Sequence, residues 1–203
     1  MNESIGFIGE GFMGEGMGHN LLKKGFALTV MAHRNREPVE RLLTAGASEA
    51  NNVKEMAQNC SVIFLCVTGS PQVEAIVLGT DGILANAKPG TVIIDCSTSD
   101  PVSTGKLDAA ARAVGMHLVD APLGGTPKEA ATGNLSAMVG ADDAVFERVQ
   151  PIIAAWAANI SHLGKVGLGH TMKLVNNFLS MGYAALYSEA LVLARKAGLT
   201  VEQ

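Results

Sequence analysis

A glycine pattern close to the amino end of the chain restricts the folds that this sequence can adopt. A short apolar stretch at residues 5–8 leads directly into G-x-G-x-x-G at residues 9–14, and an amphipathic, helix-like stretch follows to about Lys24. Between a strand and a helix, such glycines permit a tight turn, leave room for a pyrophosphate against bare backbone, and let the helix approach the strand. Backbone amides in the first turn of the helix then face the phosphates. We therefore predict a dinucleotide-binding turn that comprises Gly9, Gly11, Phe12, Met13 and Gly14.

Along the rest of residues 1–164, apolar runs of strand length alternate with helix-length segments. Beyond the first strand, the predicted strands lie at residues 27–31, 62–67, 91–94, 117–119, 136–139 and 159–163. Several predicted helices carry proline in their first turn, where it is well tolerated. Apolar strands that are each followed by a helix are typical of a parallel sheet covered on both faces. The predicted fold is therefore a doubly wound α/β (Rossmann) domain over residues 1–164.

Residues 165–203 show a different pattern. One helical segment from about Gly169 to Ala197 contains no proline, and apolar residues surround most of it. Because such a helix is buried on several sides, we expect it to lead into an all-α domain and to mediate a homodimer. Gly198 is typical of a helix C-cap, and residues 200–203 fit a capping box that begins another helix. We therefore expect the chain to be a truncated version of a longer protein.

Composition and charge argue against several classes of partner. The net charge is −4, and no basic stripe with interleaved aromatic residues indicates a nucleic-acid surface. The amino end lacks the features of a secretory signal, and the apolar stretch at residues 178–193 is too short and too interrupted to cross a membrane. The three cysteines, Cys60, Cys66 and Cys96, lack metal-ligand spacing. We expect reduced thiols, no metal site and a cytoplasmic protein.

The end of the second predicted strand bears on the choice of dinucleotide. In sites for NAD, an Asp or Glu about 20 residues beyond the glycine turn binds the adenosine ribose. Here the corresponding residue is Ala32, and Arg34 and Arg36 follow it. Without a carboxylate at this position, nothing there repels a 2′-phosphate, and the two arginines could bind one. The alternative is that both arginines are solvated cations of a surface loop. We predict NADP, with NAD possible, at a site that includes His33, Arg34 and Asn35.

Three later segments carry polar residues at the ends of predicted strands or at the start of the long helix. They read D-C-S-T-S-D-P at residues 95–101, D-A-P-L-G-G-T-P at 120–127 and G-L-G-H-T-M-K-L-V-N-N at 167–177. Together with the glycine turn, these four ordered motifs resemble the β-hydroxyacid dehydrogenase family, which includes 3-hydroxyisobutyrate and tartronate semialdehyde reductases and shares its NAD(P)-binding domain with 6-phosphogluconate dehydrogenase. The resemblance extends over essentially all 203 residues.

The resemblance implies a Rossmann domain, a long inter-domain helix and an all-helical domain that completes the active site and the dimer. It implies that Lys173 is the catalytic residue and that Asn177 orients the substrate. It also implies that Ser97 and Thr98 lie near the nicotinamide and the substrate. The loop at Gly124 and Gly125 would then hold the substrate carboxylate.

One departure concerns that loop. The family's third motif usually reads D-A-P-V-S-G-G, whereas this chain has Gly124 at the serine position. Either Thr126 substitutes for the serine or the substrate differs. Cys66, Val67 and Thr68, after another predicted strand, are expected to line the ribose and nicotinamide crevice.

The placement of Lys173 is also consistent with simple chemistry. Residues at i and i+4 share a helix face, so Lys173 and Asn177 point into the same space, with Asn176 beside them. Hydride transfer to a carbonyl leaves an alkoxide that needs a proton, and a partly desolvated lysine can supply it. The alternative is a solvated lysine near a helix start. The two consecutive asparagines, which are poor helix formers, favour a site.

Other polar residues near these motifs have a structural interpretation. Asp95 and Asp120 each end a predicted strand, and we interpret them as acids that anchor loops by accepting backbone amides, not as a catalytic pair. His170 lies three residues before Lys173 and is a further candidate to face the site.

The leading hypothesis is a nicotinamide-dependent oxidoreductase that interconverts a small β-hydroxyacid, or a similarly anionic alcohol, with its aldehyde or ketone. One alternative is a truncated dinucleotide-binding module without turnover. Another is an imine-reducing relative, against which the retained Lys173 argues.

Overall fold

A computed structural model of the protein describes residues 3–200 and 202–203, in which helices and strands alternate along most of the chain. The strands are β1 (Ser4–Ile8), β2 (Ala27–Val30), β3 (Ser48–Glu49), β4 (Val62–Leu65), β5 (Val92–Asp95), β6 (His117–Asp120), β7 (Leu123–Gly124), β8 (Leu135–Val139) and β9 (Ala157–His162). The helices are α1 (Gly14–Lys23), α2 (Glu37–Thr44), α3 (Val53–Asn59), α4 (Ser70–Leu78), α5 (Ile83–Asn86), α6 (Pro101–Ala113), α7 (Pro127–Thr132), α8 (Asp143–Ile153) and α9 (Leu168–Lys196).

The first six strands form one sheet in the order β3-β2-β1-β4-β5-β6, and every neighbouring pair is parallel. From β1 the chain proceeds outward to β3, and then returns to the other side of β1 at β4. This reversal creates a crevice at the carboxyl ends of β1 and β4, which is where ligands bind in open α/β sheets. The prediction of a doubly wound α/β fold is confirmed.

Both faces of the sheet are covered, which explains the continuous apolar runs in the central strands. On one face, the rings of Phe7 and Phe64 stack with their centroids 5.7 Å apart, and Trp156 meets Phe64 edge-on at 6.1 Å. On the other face, Ile63 and Ile93 lie in a second buried cluster. Each fully buried side chain of this kind contributes about 1.5–3 kcal/mol relative to exposure. The core therefore lies directly beneath the strand ends that form the crevice.

A smaller sheet extends this framework beyond β6. Its order is β7-β8-β9, with β7 antiparallel to β8 and β8 parallel to β9. An antiparallel bridge between Asp120 and Gly140 links it to the end of β6. The strands predicted at residues 136–139 and 159–163 are present here. This sheet holds the segment after β6, at Leu123 and Gly124, near the carboxyl edge of the main sheet.

Helix α7 lies against α1 at very short range. A Cβ added at Gly16 would come within 2.6 Å of the carbonyl carbon of Ala130, so only glycine permits this approach. The amide of Asn20 then donates to the carbonyl oxygens of Gly16 at 2.8 Å and Ala130 at 2.9 Å. These contacts fix the residues of α7, and the loop before it, beside the helix that follows the glycine turn.

The long helix α9 is anchored at its start and exposed along the rest of its length. Gly169 and His170 are buried, whereas Phe178 is 79% exposed and Met181 is 71% exposed. Among the described residues, no helix is long and apolar enough to cross a membrane. The helix was predicted from about residue 169 to 197, and its position is confirmed.

At the end of α9, Gly198 adopts φ +93°, and the amide of Leu199 donates to the carbonyl of Ala194 at 3.0 Å. This is the predicted glycine C-cap. The capping box predicted for residues 200–203 includes Val201, which lies outside the described residues.

Candidate active site

The three glycines of the turn between β1 and α1 differ in what surrounds them. Gly9 has φ +107°, and a Cβ there would overlap the carbonyl oxygen of Cys66. A Cβ on Gly14 would overlap the carbonyl oxygen of Gly9, whereas one on Gly11 would meet no heavy atom within 4 Å. Gly9 and Gly14 therefore permit the turn itself, and Gly11 leaves open space beside it. This arrangement fits the backbone cradle that a pyrophosphate needs.

The two residues between Gly11 and Gly14 also border this space. Phe12 is 90% exposed, whereas Met13 is half-buried against the core. Their assignment to the cofactor site stays a prediction, as does that of the glycines.

One acidic side chain in the turn was not identified from the sequence. Glu10 is only 8% exposed, and its carboxylate accepts the amide of Gly9 at 3.1 Å and the amide of Met31 at 3.1 Å. Burial raises the pKa of Glu10 to about 7, although the backbone hydrogen bonds oppose the shift. The motif leaves this position unspecified, so no pattern in the sequence marks it. Glu10 thus fastens the end of β1 to the residue that follows β2.

The loop after β2 places the predicted ribose-phosphate residues on the surface. His33, Arg34 and Asn35 are all exposed. Arg36, in contrast, forms a two-pronged ion pair with Glu49, with N–O distances of 3.0 and 3.1 Å. Arg34 forms no ion pair within the part of the chain that the structure describes. That both arginines bind a 2′-phosphate stays a prediction: Arg36 would exchange the carboxylate of Glu49 for the phosphate, whereas Arg34 would have no such pair to give up.

Asn35 has a local structural role in that loop. Its side-chain oxygen accepts the amide of Glu37 at 3.1 Å, at the first residue of α2. An asparagine in such a turn holds the helix start in place. The cofactor contact of Asn35 stays a prediction.

The loops after β4 and β5 are joined by one hydrogen bond. The hydroxyl oxygen of Ser97 accepts the amide of Val67 at 3.0 Å, and Ser97 is 3% exposed. Cys66 and Val67 are half-buried, whereas Thr68 and Thr98 are exposed at the edge of the crevice. Ser97 thus fixes the crevice wall. Among the described residues, its hydroxyl hydrogen has no acceptor.

The thiols near the crevice are not reactive nucleophiles. Burial raises the pKa of Cys66 to about 12 and that of Cys96 well above its usual range, with Asp95 adding to both effects. Because the thiolate is the nucleophilic form, both groups stay inert near neutral pH. All three cysteines are free, and they pack as small apolar side chains.

The two strand-end acids anchor loops, as predicted. Asp95 accepts the amide of Ser97 at 2.9 Å and the hydroxyl of Ser99 at 2.8 Å. Asp120 accepts the amides of Gly167 and His170, both at 2.7 Å, and so caps the first turn of α9. Burial raises the pKa of Asp120, while those two amides oppose the shift. The strand ends therefore determine where α9 begins.

His170 completes this buried network. Its Nδ1 lies 2.8 Å from the hydroxyl of Thr104, and its Nε2 lies 3.2 Å from the carbonyl oxygen of Ser97. The ring is fully buried, 3.7 Å from Asp95 and 3.8 Å from Asp120. The expectation that His170 is a candidate to face the site is wrong. It connects α6, the loop after β5 and β6 to α9, contacts that no sequence spacing could show.

Lys173 lies one helical turn beyond His170 and reaches β7, in the segment after β6. Its Nζ donates to the carbonyl oxygen of Leu123 at 2.7 Å. Partial burial lowers the pKa of Lys173, so the ammonium releases its proton more readily than an exposed lysine does. Lys173 is therefore next to the loop that the sequence assigned to substrate binding.

The neighbours of Lys173 follow the predicted arrangement. Gly124 is half-buried and Gly125 is exposed with φ +123°, so the loop backbone is open to a ligand. Asn177, one turn beyond Lys173, is half-buried, whereas Asn176 is exposed. The structure thus brings Lys173 and the Gly124–Gly125 loop together. The roles of these residues in substrate binding stay predictions.

Comparisons with known proteins agree with this arrangement. A model of the NAD binding domain of 6-phosphogluconate dehydrogenase matches residues 4–164. The chain is 41% identical over 199 residues to 2-(hydroxymethyl)glutarate dehydrogenase of Eubacterium barkeri, which covers 98% of this chain and 65% of that protein. It is 39% identical over 197 residues to the NAD-dependent L-serine dehydrogenase of Pseudomonas aeruginosa, which covers 97% of this chain and 66% of that protein. The chain thus spans just under two thirds of the length of these two relatives.

A solved structure shows the same likeness in three dimensions. The 3-hydroxyisobutyrate dehydrogenase of Mycobacterium tuberculosis, determined with L-serine, aligns with a TM-score of 0.89 at 30% identity, over 99% of this chain and 68% of that one. The family model covers most of the chain, and the resemblance drawn from the four motifs is confirmed. The chain belongs to the β-hydroxyacid dehydrogenase family, with a domain matching the NAD binding domain of 6-phosphogluconate dehydrogenase.

Proposed function

We propose that this chain is the dinucleotide-binding part of an oxidoreductase that interconverts a small β-hydroxyacid with its aldehyde or ketone. The observation that carries the proposal is the contact of Lys173 with the loop after β6, at the sheet edge where the glycine turn lies. Open space beside Gly11 and the closed packing of Gly9 and Gly14 fit a nicotinamide dinucleotide. The dinucleotide, when bound, supplies or accepts the hydride.

Lys173 provides the proton that balances the hydride. In the reducing direction its ammonium donates to the developing alkoxide, and in the oxidising direction its neutral amine accepts the alcohol proton. One N–H of the ammonium is held by Leu123, which leaves two for a substrate oxygen. The lowered pKa of Lys173 brings the neutral form closer to physiological pH, which favours exchange in both directions.

The relatives support a substrate with a hydroxyl group β to a carboxylate. 2-(Hydroxymethyl)glutarate, L-serine and 3-hydroxyisobutyrate, the substrates in their names, all have this arrangement. In this chain, backbone amides of the loop at Gly124 and Gly125 would bind the carboxylate, and Ser97 and Asn177 would orient the remainder. Each of these molecules is small and carries a carboxylate.

The choice of dinucleotide depends on the exposed loop after β2. Ala32 presents no carboxylate to a 2′-phosphate, and Arg34 offers it a cation, so NADP is our first choice. The L-serine dehydrogenase relative is NAD-dependent, which keeps NAD as the alternative.

We also propose a homodimer through α9, in a cytoplasmic protein. From Phe178 onward, the large apolar side chains of α9 are more than half exposed, which is typical of an interface. Three free cysteines favour a reducing compartment. Light scattering that shows only monomers at concentrations well above those in cells would contradict the dimer.

Titration with each dinucleotide, followed by a turnover assay with L-serine and 3-hydroxyisobutyrate, tests the proposed reaction. We expect saturable binding and an absorbance increase from reduced nicotinamide that is lost in the Lys173→Ala variant. Lys196→Ala, an exposed change in the last turn of the same helix, is the matched control and should be neutral. Absence of dinucleotide binding would overturn the proposal.

A second candidate is a dinucleotide-binding module without turnover. It is favoured by the exposure of α9 beyond its start, where Phe178 is 79% exposed. Binding of a dinucleotide with no turnover of any β-hydroxyacid would select this alternative.

A further inference from the structure

The corner of the crevice between β1 and β2 contains a carboxylate, although the expected position lacks one. Ala32 stands where an acid would bind the adenosine ribose. Glu10 reaches the same corner from the glycine turn, and one of its oxygens accepts the amide of Met31, the residue directly before Ala32, at 3.1 Å. Its other oxygen accepts the amide of Gly9 at 3.1 Å. The position of the carboxylate is therefore fixed by two strands.

The groups that face Glu10 do not neutralise it. No ion pair to Glu10 occurs in the described ranges of the chain. From β3, Glu49 repels it, although Glu49 is itself paired with Arg36 at 3.0 Å. From the end of β4 it faces Cys66, whose thiol stays protonated because burial raises its pKa to about 12. Arg34, on the exposed loop after β2, forms no ion pair with any described residue.

We propose that Glu10 is a specificity-determining residue, whose negative charge disfavours a dinucleotide with a 2′-phosphate and whose neutral form admits one. This inference rests on the proposed dinucleotide site. A buried charge is screened less by salt than an exposed one, and so it acts on a phosphate several ångströms away. Arg34 attracts the same phosphate, so the net preference depends on which of the two charges is present.

The direction of the pH effect follows from burial. The pKa of Glu10 is raised to about 7, so the carboxyl group is mostly neutral below that pH and mostly ionised above it. Preference for the phosphorylated dinucleotide should therefore be strongest at low pH and should fall as the pH rises.

Binding titrations of NADPH and NADH at pH 7 and pH 9 test the proposal. The second proton of a phosphate monoester dissociates near pH 6, so the charge of the ligand changes little over this range. For the unmodified chain, we expect the ratio of the NADPH Kd to the NADH Kd to rise about five- to tenfold from pH 7 to pH 9. In the Glu10→Gln variant the ratio should be lower at pH 9 and should not change with pH.

Asp81→Asn is the matched control, because it removes one negative charge from an exposed residue between α4 and α5. It should behave as the unmodified chain does. A ratio that does not change with pH in the unmodified chain would overturn the inference even if Glu10→Gln failed to fold. The inference would also be overturned if the ratio of the two Kd values changed with pH in Glu10→Gln as much as it does in the unmodified chain. If the unmodified chain bound neither dinucleotide, the proposed function would be overturned together with the inference. If it bound both with a ratio that does not change with pH, only the inference about Glu10 would be overturned.

Discussion

Replacing Gly11 by alanine should separate cofactor binding from folding within a single turn. A Cβ at this position would meet no heavy atom within 4 Å, and Gly11 is not among the glycines with positive φ. The added methyl group therefore introduces no clash and no backbone strain. Since alanine also restricts the unfolded chain, we expect a change in the free energy of unfolding of no more than about 1 kcal/mol, of either sign.

The same methyl group should interfere with a dinucleotide. It would occupy the open space that a pyrophosphate needs in order to approach the backbone and the first turn of α1. A hydrogen bond to a charged group contributes roughly 1.5–3 kcal/mol, so the loss of one such bond should raise the dinucleotide Kd by about ten- to a hundredfold. Thermal unfolding and dinucleotide titration of Gly11→Ala measure the two effects independently.

Gly14→Ala is the contrasting variant. Its Cβ would overlap the carbonyl oxygen of Gly9 and lie 2.8 Å from a ring carbon of Phe7, so it should cost about 1–3 kcal/mol or more of stability. If Gly11→Ala unfolds like Gly14→Ala, the space attributed to Gly11 is not present. If Gly11→Ala is stable and binds the dinucleotide with an unchanged Kd, the turn is not the phosphate cradle.

Three further predictions concern the buried groups. Lys173→Ala should lower turnover by about a hundredfold or more without changing the dinucleotide Kd, and a full turnover rate would refute its role as proton donor. Asp120→Ala leaves the amides of Gly167 and His170 without their acceptor, so the free energy of unfolding in urea should fall by roughly 2–4 kcal/mol; an unchanged midpoint would contradict this. Because the pKa of Glu10 is raised from 4.5 to about 7, its contribution to stability should decrease between those pH values, by at most about 3 kcal/mol, and then level off. Comparison with Glu10→Gln in urea between pH 5 and pH 8 checks this, and parallel pH profiles would refute it.

The elements predicted from sequence were those with enough residues to show a pattern. Buried strands such as β4 and β5 are unbroken apolar runs, and α9 is 29 residues long. The strands β3 and β7 have only two residues each, which is too short for any period to appear. These short strands form only because a neighbouring strand already presents its backbone, so tertiary contacts determine them.

In the candidate site, too, the roles that depend on local sequence could be predicted, and those that depend on distant contacts could not. Asp95 and Asp120 were predicted as anchors because each directly follows an apolar run, and the groups that donate to them are backbone amides. The role of His170 was not predicted. Its partners Thr104 and Ser97 lie 66 and 73 residues away along the chain, so only the folded arrangement of α6 and β5 brings them to it.

The preference for NAD or NADP cannot be predicted from the one motif position that usually carries the ribose-binding acid. The sequence argument considered one position, Ala32, and found no carboxylate there. A phosphate, however, responds to all charges near it, whichever strand supplies them. Adjacent parallel strands end side by side, so Glu10 on the turn after β1 can accept the amide of Met31, the residue that follows β2. Likewise, Glu49 at the end of β3 pairs with Arg36 and so offsets the positive charge that a phosphate would meet there. A prediction of cofactor preference must therefore consider the charges at the ends of β1, β2 and β3. On the inference above, the protonation state of Glu10 affects the preference as much as the side chain at residue 32 does.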